Sequence, residues 1–185
     1  MNMNSSFKSY SEKLEAALNN YDWSHVEAFA RSLQYAWGKN KQVFICGNGG
    51  SAANAMHIAN DLLYGVAKNG AGLRAIALPS NTSLLTCLGN DLGYDQIFSK
   101  QIQVFGGSGD ILIALSGRGN SRNVINALEQ AKSMNIHTFA IIGYDGGKCL
   151  DIVDHAIHFP VYDMQISEDL QLIVSHMIMQ SLCAQ

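Results

Sequence analysis

Twice along this chain a short apolar run breaks off into a glycine- and serine-rich loop and then into a helical stretch. The first unit is Gln42-Val43-Phe44-Ile45-Cys46, the loop Gly47-Asn48-Gly49-Gly50-Ser51, and a helix predicted over Ala52 to Leu63. The second is Asp110-Ile111-Leu112-Ile113-Ala114-Leu115, the loop Ser116-Gly117-Arg118-Gly119-Asn120-Ser121, and a helix predicted over Asn123 to Met134. A strand that is apolar at successive positions, rather than at alternate ones, is buried on both faces, and a parallel sheet covered by helices on either side supplies that burial.

The rest of the chain fits the same plan. β-like runs occur at Leu73–Leu78, His137–Ile142 and Ala156–Phe159, with helical segments at Ser83–Leu88 and Gln96–Phe105 and a closing apolar-rich helix from about Ile166 to Cys183. From Phe7 to Trp37, Leu14, Leu18, Val26, Phe29, Leu33 and Ala36 recur at three- and four-residue steps. A break near Tyr21–Ser24, where Asp22 or Ser24 can cap, divides this stretch into two helices. No linker or low-complexity segment interrupts the 185 residues. The expectation is one α/β domain over 1–185, a doubly wound parallel sheet of the flavodoxin- or Rossmann-like three-layer kind. Residues 1–40 form an added helical segment that either covers the sheet or serves oligomer contacts.

Composition excludes several function classes. With a formal net charge of −3 and only 15% charged residues, the chain lacks the basic footprint of a nucleic-acid binder. No apolar window approaches the ~18–20 residues of a membrane span, and the polar start MNMNSSFKSYSEKLE lacks the layout of a secretory signal. Cys46, Cys87, Cys149 and Cys183 stand apart in apolar stretches, which predicts buried, reduced thiols in a cytosolic protein.

Both loops fall at the carboxyl ends of their strands, where open parallel sheets bind ligands. Their glycines let the backbone approach a ligand closely, each following helix presents its positive end, and Ser51, Ser116 and Ser121 add hydroxyl donors. A phosphate monoester suits such a pair of loops; the plainer reading is two tight turns with capping serines. Neither the Lys-Ser/Thr ending of a nucleoside-triphosphate loop nor the G-x-G-x-x-G of a dinucleotide site is present. His57 and Asp61, four apart, share one helix face, and Glu168, Asp169 and Gln171 precede His176 on the last helix. Imidazole with carboxylate suits a divalent ion such as zinc, or proton transfer, against the alternative of a solvated helix face.

Cys46-Gly47-Asn48-Gly49-Gly50-Ser51-Ala52 with Met56-His57-Ile58-Ala59 resembles the phosphoheptose isomerases of the sugar isomerase (SIS) fold. So do Cys87-Leu88-Gly89-Asn90-Asp91-Leu92-Gly93-Tyr94, the loop ending Gly119-Asn120-Ser121, and Gly143-Tyr144-Asp145-Gly146-Gly147-Lys148. The resemblance implies a cytoplasmic homotetramer, with active sites between subunits. It would isomerise sedoheptulose 7-phosphate to D-glycero-D-manno-heptose 7-phosphate for bacterial surface polysaccharide. It further implies phosphate held by Ser116, Gly117, Arg118 and Ser121, and a sugar site lined by Asn48, Gly49, Gly50, Ser51, Asn90 and Asp91, with Glu168 also on substrate. One zinc ion per subunit would be held by His57, Asp61, Glu168 and His176. Ketose–aldose conversion needs a base and an acid, for which Asp61 and His176 are the candidates. Related SIS proteins act instead as adaptors or sugar-phosphate sensors, and an isomerase of another sugar phosphate is a further alternative.

This chain departs from the family pattern at four places. Asp61 stands where the family has Glu, Glu168 where it has Gln, and Gly65 where an arginine is frequent. Gly117 and Arg118 interrupt a loop that is otherwise nearly all serine and threonine. Arg118 either grips phosphate bidentately or points outward as a solvated loop charge.

Overall fold

The structure, a computed structural model, describes residues 3–67 and 69–184; positions 1, 2, 68 and 185 of the predicted domain lie outside the described residues. Five strands, β1 (Gln42–Cys46), β2 (Arg74–Ala77), β3 (Ile111–Ser116), β4 (His137–Ile142) and β5 (His155–His158), form one sheet in the order β2-β1-β3-β4-β5. Every neighbouring pair is parallel. The order reverses between β1 and β3, so the crevice of this flavodoxin-like arrangement opens where the two predicted loops leave the sheet.

Side chains alternate across the sheet. Val43, Ile45, Ile111, Ile113, Phe139 and Ile141 enter one apolar layer, while Phe44, Cys46, Leu112, Ala114, Ala140 and Ile142 enter the other. The first layer is covered by α1 (Met3–Asn19), α2 (Ser24–Gly38), α3 (Gly50–Asn60) and α8 (Met164–Cys183). The second is covered by α4 (Thr82–Asp91), α5 (Ser99–Phe105), α6 (Arg122–Ser133) and α7 (Gly147–Ile152). All six residues of β3 are buried, as its unbroken apolar run requires. At the start of α2, the Asp22 carboxylate accepts the Ser24 N–H (3.0 Å) in the predicted break.

Three expectations need correction. The helix predicted over 52–63 is α-helical only to Asn60 and continues as a π-turn over Asp61–Gly65, with the Val66 N–H donating to the Asp61 carbonyl (3.0 Å). The adjacent Leu62 carbonyl is taken by the Leu73 N–H (2.9 Å), so a tertiary bond holds the widened turn in place. Helix α7 was not foreseen, because its six residues are too few to show periodicity. Of the four cysteines, all free, Cys46 and Cys149 are buried but Cys87 and Cys183 are exposed.

Candidate active site

Helices α3 and α8 lie side by side and run in the same direction away from the crevice. Asn54 on α3 donates to the Glu168 carbonyl (3.0 Å) and to Gln171 Oε1 (2.9 Å), and Gln171 Nε2 donates to Ser51 Oγ (3.0 Å). Gln171 is 1% exposed and hydrogen-bonded to α3 through both ends of its amide, which couples the axial register of the two helices. That register decides which residues of α8 meet which residues of α3.

One consequence is a three-member cluster. His57 Nε2 and His176 Nε2 lie 3.0 Å apart, and Asp61 Oδ2 is 3.3 Å from the first and 3.5 Å from the second. His57 and Asp61 meet because a four-residue step on a helix puts them on one face. His176 joins them across 119 positions of sequence. Two imidazole nitrogens and a carboxylate oxygen form the donor chemistry of a zinc site. The triangle they make has its corners about 1.9 Å from their common centre, close to the ~2.0–2.1 Å of zinc–nitrogen bonds. The residues present therefore fit a divalent ion. Both histidine side chains remain nearly half exposed, which leaves an open side for substrate.

Glu168 does not join this cluster. Eight helical residues, about 12 Å of rise, separate it from His176, and the donor atoms that converge are those of His57, Asp61 and His176. Its carboxylate lies against Gly50 at the amino end of α3, where a Cβ on Gly50 would collide with both oxygens. The expected fourth ligand is instead part of the crevice, and the favourable end of the helix dipole explains why an acid rests there.

The crevice is a cleft of about 210 Å³ lined by Asn48, Ser51, Ser116, Gly117, Arg118, Ser121 and Glu168, together with Leu115 and Met164. The structure thus gathers most of the predicted substrate residues. Gly49, with φ +55°, turns the chain into α3, a conformation that favours glycine. The second loop is tightened by the Gly119 N–H donating to Ser116 Oγ (3.0 Å). Asn90 and Asp91 are not among the cleft-lining residues; they sit exposed at the end of α4, with Asn90 Nδ2 donating to Asp91 Oδ1 (2.8 Å).

Sequence reasoning placed Asn48 in the site but not Asn123 or Tyr94, the two residues that brace it. Asn48 and Asn123 exchange amide hydrogen bonds, both at 2.8 Å, and the Tyr94 hydroxyl donates to Asn48 Oδ1 (2.9 Å). Asn123 is 2% exposed, and its Oδ1 also accepts the Val124 N–H (3.0 Å). The available signal was an asparagine directly after Ser121-Arg122, at the start of a helix following a ligand loop. Three of the four thiols are shifted toward the protonated form. Burial pushes the Cys46 thiol well up and that of Cys149 up to about 12. The Asp91 carboxylate raises Cys87 by hydrogen bonding and by its charge.

The model of the SIS domain family matches residues 6–143. The phosphoheptose isomerase of Aliarcobacter butzleri is 40% identical over 139 residues, covering 75% of this chain and 74% of that protein. That of Fusobacterium nucleatum is 35% identical over 181 residues, 97% of this chain and 93% of that one. The solved phosphoheptose isomerase of Neisseria gonorrhoeae superposes with a TM-score of 0.90 at 29% identity, covering 99% and 97% of the two chains. With the sheet order, the loops at its reversal and the cluster between α3 and α8, these similarities establish that the chain belongs to the SIS domain family and, within it, to the phosphoheptose isomerases.

Proposed function

We propose that this chain converts sedoheptulose 7-phosphate to D-glycero-D-manno-heptose 7-phosphate in bacterial heptose synthesis. The observation that carries this reading is the convergence of His57, Asp61 and His176 on α3, its π-turn continuation and α8, two helices that also supply Ser51 and Glu168 to the cleft. From Gly50 to His57, or from Glu168 to His176, is about 10–12 Å along the helices. An extended chain advances about 1.2 Å per bond. The eight bonds from C1 of a heptose to its 7-phosphorus therefore span about 10 Å. With its phosphate in the cleft, such a chain would be long enough for C1 and C2 to reach the cluster.

In the mechanism, Asp61 removes the proton from C1 of the open-chain ketose and returns it to C2, with the enediol between the two steps. The transfer of the hydroxyl proton between O2 and O1 falls to His176. A divalent ion held by His57, Asp61 and His176, zinc in our reading, supplies polarisation of the carbonyl when bound. His176 presents a single nitrogen to the cluster, so at any moment that atom serves either as ligand or as proton carrier. Ser116 and Ser121 fix the phosphate, which orients the reacting carbons as well as binding them.

The same reading includes a cytoplasmic homotetramer with residues 1–40 in its contacts. Among the described residues, α1 buries no side chain completely, and Met3 and Phe7 on it are exposed at 77% and 69%. Tyr10 ties it to α8 through a hydrogen bond to Asp169. Among the described residues, no helix is long and apolar enough to cross a membrane.

The test follows sedoheptulose 7-phosphate with the purified protein by anomeric-carbon NMR, beside Asp61→Ala and His176→Ala. Aldose signals that appear with the parent protein and vanish in both variants are expected. Absence of turnover with phosphate-ester binding intact in all three proteins would replace this reading with a binding module or an isomerase of another sugar phosphate.

A further inference from the structure

We propose that Gln171 is a positioning residue for ligand binding: its buried amide commits the Ser51 hydroxyl to donate into the cleft, so that Ser51 meets an acceptor oxygen of the ligand. The proposal deepens the sugar-phosphate reading above and rests on it for the identity of that ligand.

The direction follows from a chain of hydrogen bonds that starts at a group with no choice. A backbone carbonyl only accepts. The Glu168 carbonyl, 3.0 Å from the Asn54 amide, therefore faces its Nδ2 end. The same nitrogen stands 2.9 Å from the Gln171 amide, so both of its hydrogens are spent and the Gln171 atom facing it must be Oε1. The opposite end, Nε2, is then turned to Ser51 Oγ at 3.0 Å. Ser51 Oγ accepts there, which leaves its single proton for another partner. Among the described residues no acceptor takes that proton. Ser51 is 4% exposed and lines the 210 Å³ cleft, so the partner available to it is a ligand in that cleft.

Packing alone does not call for an amide at this place. A side-chain hydrogen bond contributes about 1 kcal/mol net, and an apolar side chain of similar length fills the same space between α3 and α8. What the amide adds is polarity. It has a donor end and an acceptor end, and the relay from Glu168 through Asn54 and Gln171 to Ser51 holds them in one order. A carboxylate at position 171 would keep the shape and reverse the last step. It would accept from both Asn54 and Ser51, turn the hydroxyl proton away from the cleft, and leave the serine's lone pairs facing the ester.

The experiment measures the apparent Kd of sedoheptulose 7-phosphate by calorimetry at equilibrium, with KM and kcat beside it. The variants are Gln171→Glu, Gln171→Met, Ser51→Ala and the Gln171→Glu/Ser51→Ala pair, with thermal unfolding to report whether each folds. Ser51→Ala is expected to raise Kd about tenfold, and Gln171→Glu about ten- to a hundredfold. Part of the second loss is repulsion from the added charge, which acts with or without the hydroxyl. The pair separates the two: in the Ser51→Ala background Gln171→Glu is expected to cost about tenfold less than in the parent protein. Gln171→Met removes the amide without offering Ser51 an acceptor. It is expected to lower the melting temperature but to raise Kd only about threefold, through lost preorganisation. A Gln171→Glu effect equal in both backgrounds overturns the proposal. So does a Gln171→Met variant that binds as weakly as Ser51→Ala, which would leave Gln171 a packing role alone; this comparison decides even if Gln171→Glu does not fold. If the parent protein does not turn over the heptose phosphate but the Kd values follow this pattern, the isomerase reading fails and the role of Gln171 stands.

Discussion

Zinc is expected to raise the melting temperature of the parent protein and to leave that of Asp61→Asn nearly unchanged. The cluster supplies three donors already convergent at 3.0, 3.3 and 3.5 Å, so binding requires little rearrangement and favours the folded chain, in which alone His176 meets His57. At a free zinc concentration one hundred times the Kd, linkage adds about 2.7 kcal/mol to stability. Unfolding entropy near 2.1 cal/mol/K per residue gives about 0.39 kcal/mol/K for 185 residues, and the quotient is a rise of roughly 7 °C. Asp61→Asn keeps the side chain's shape and withdraws its charge, leaving two imidazoles and a weak neutral oxygen. Differential scanning fluorimetry over a zinc titration, with chelator-treated protein as reference, reads the effect directly. A flat response in the parent protein, or an equal rise in Asp61→Asn, would refute the assignment of these three residues as an ion site.

Two further outcomes follow from the contacts that brace the sheet and the cleft. Asn123→Ala removes both amide bonds to Asn48 and the acceptor for the Val124 N–H; a loss of about 2 kcal/mol and a raised KM, read by urea unfolding and steady-state kinetics, are expected. At the join of β4 and β5, burial acts to raise the Asp154 carboxyl but is outweighed by hydrogen bonds from the Thr138 hydroxyl and N–H and by Lys132, so its pKa is lowered. A lowered folded-state pKa gives stability that is present above the unfolded value of about 3.9 and lost as pH falls through the folded value. Asp154→Asn is accordingly expected to cost about 1 kcal/mol at pH 7, the carboxylate being partly solvent-screened, and the difference from the parent protein to close in acid. A gap that stays constant with pH would show that the carboxylate's charge is not the source.

The strands and most helices were legible because their signals are local. Continuous apolar runs mark strands buried on both faces, and the two glycine-rich loops mark the ends at which ligands bind. The step from His57 to Asp61 fixes a shared helix face without reference to anything else. The π-turn at Asp61 was not legible, since the bond from Leu73 to the Leu62 carbonyl that holds it comes from beyond the helix. Glu168 shows the same limit at the site. Its place on α8 is plain from the sequence, yet whether it meets the histidines or the loop depends on how far α8 is slid along α3.

Sequence alone, then, determined the sheet, the loop positions and the chemical types available at each. Only the tertiary structure decided the partners: His176 with His57 across 119 residues, Glu168 against Gly50, Asn48 with Asn123, and Arg118 over Tyr144. Secondary structure follows from periodicity within a short window. The axial register of two packed helices, by contrast, is set by the interlocking of side chains along their whole contact, here around the buried Gln171, and no window of sequence contains both sides of it.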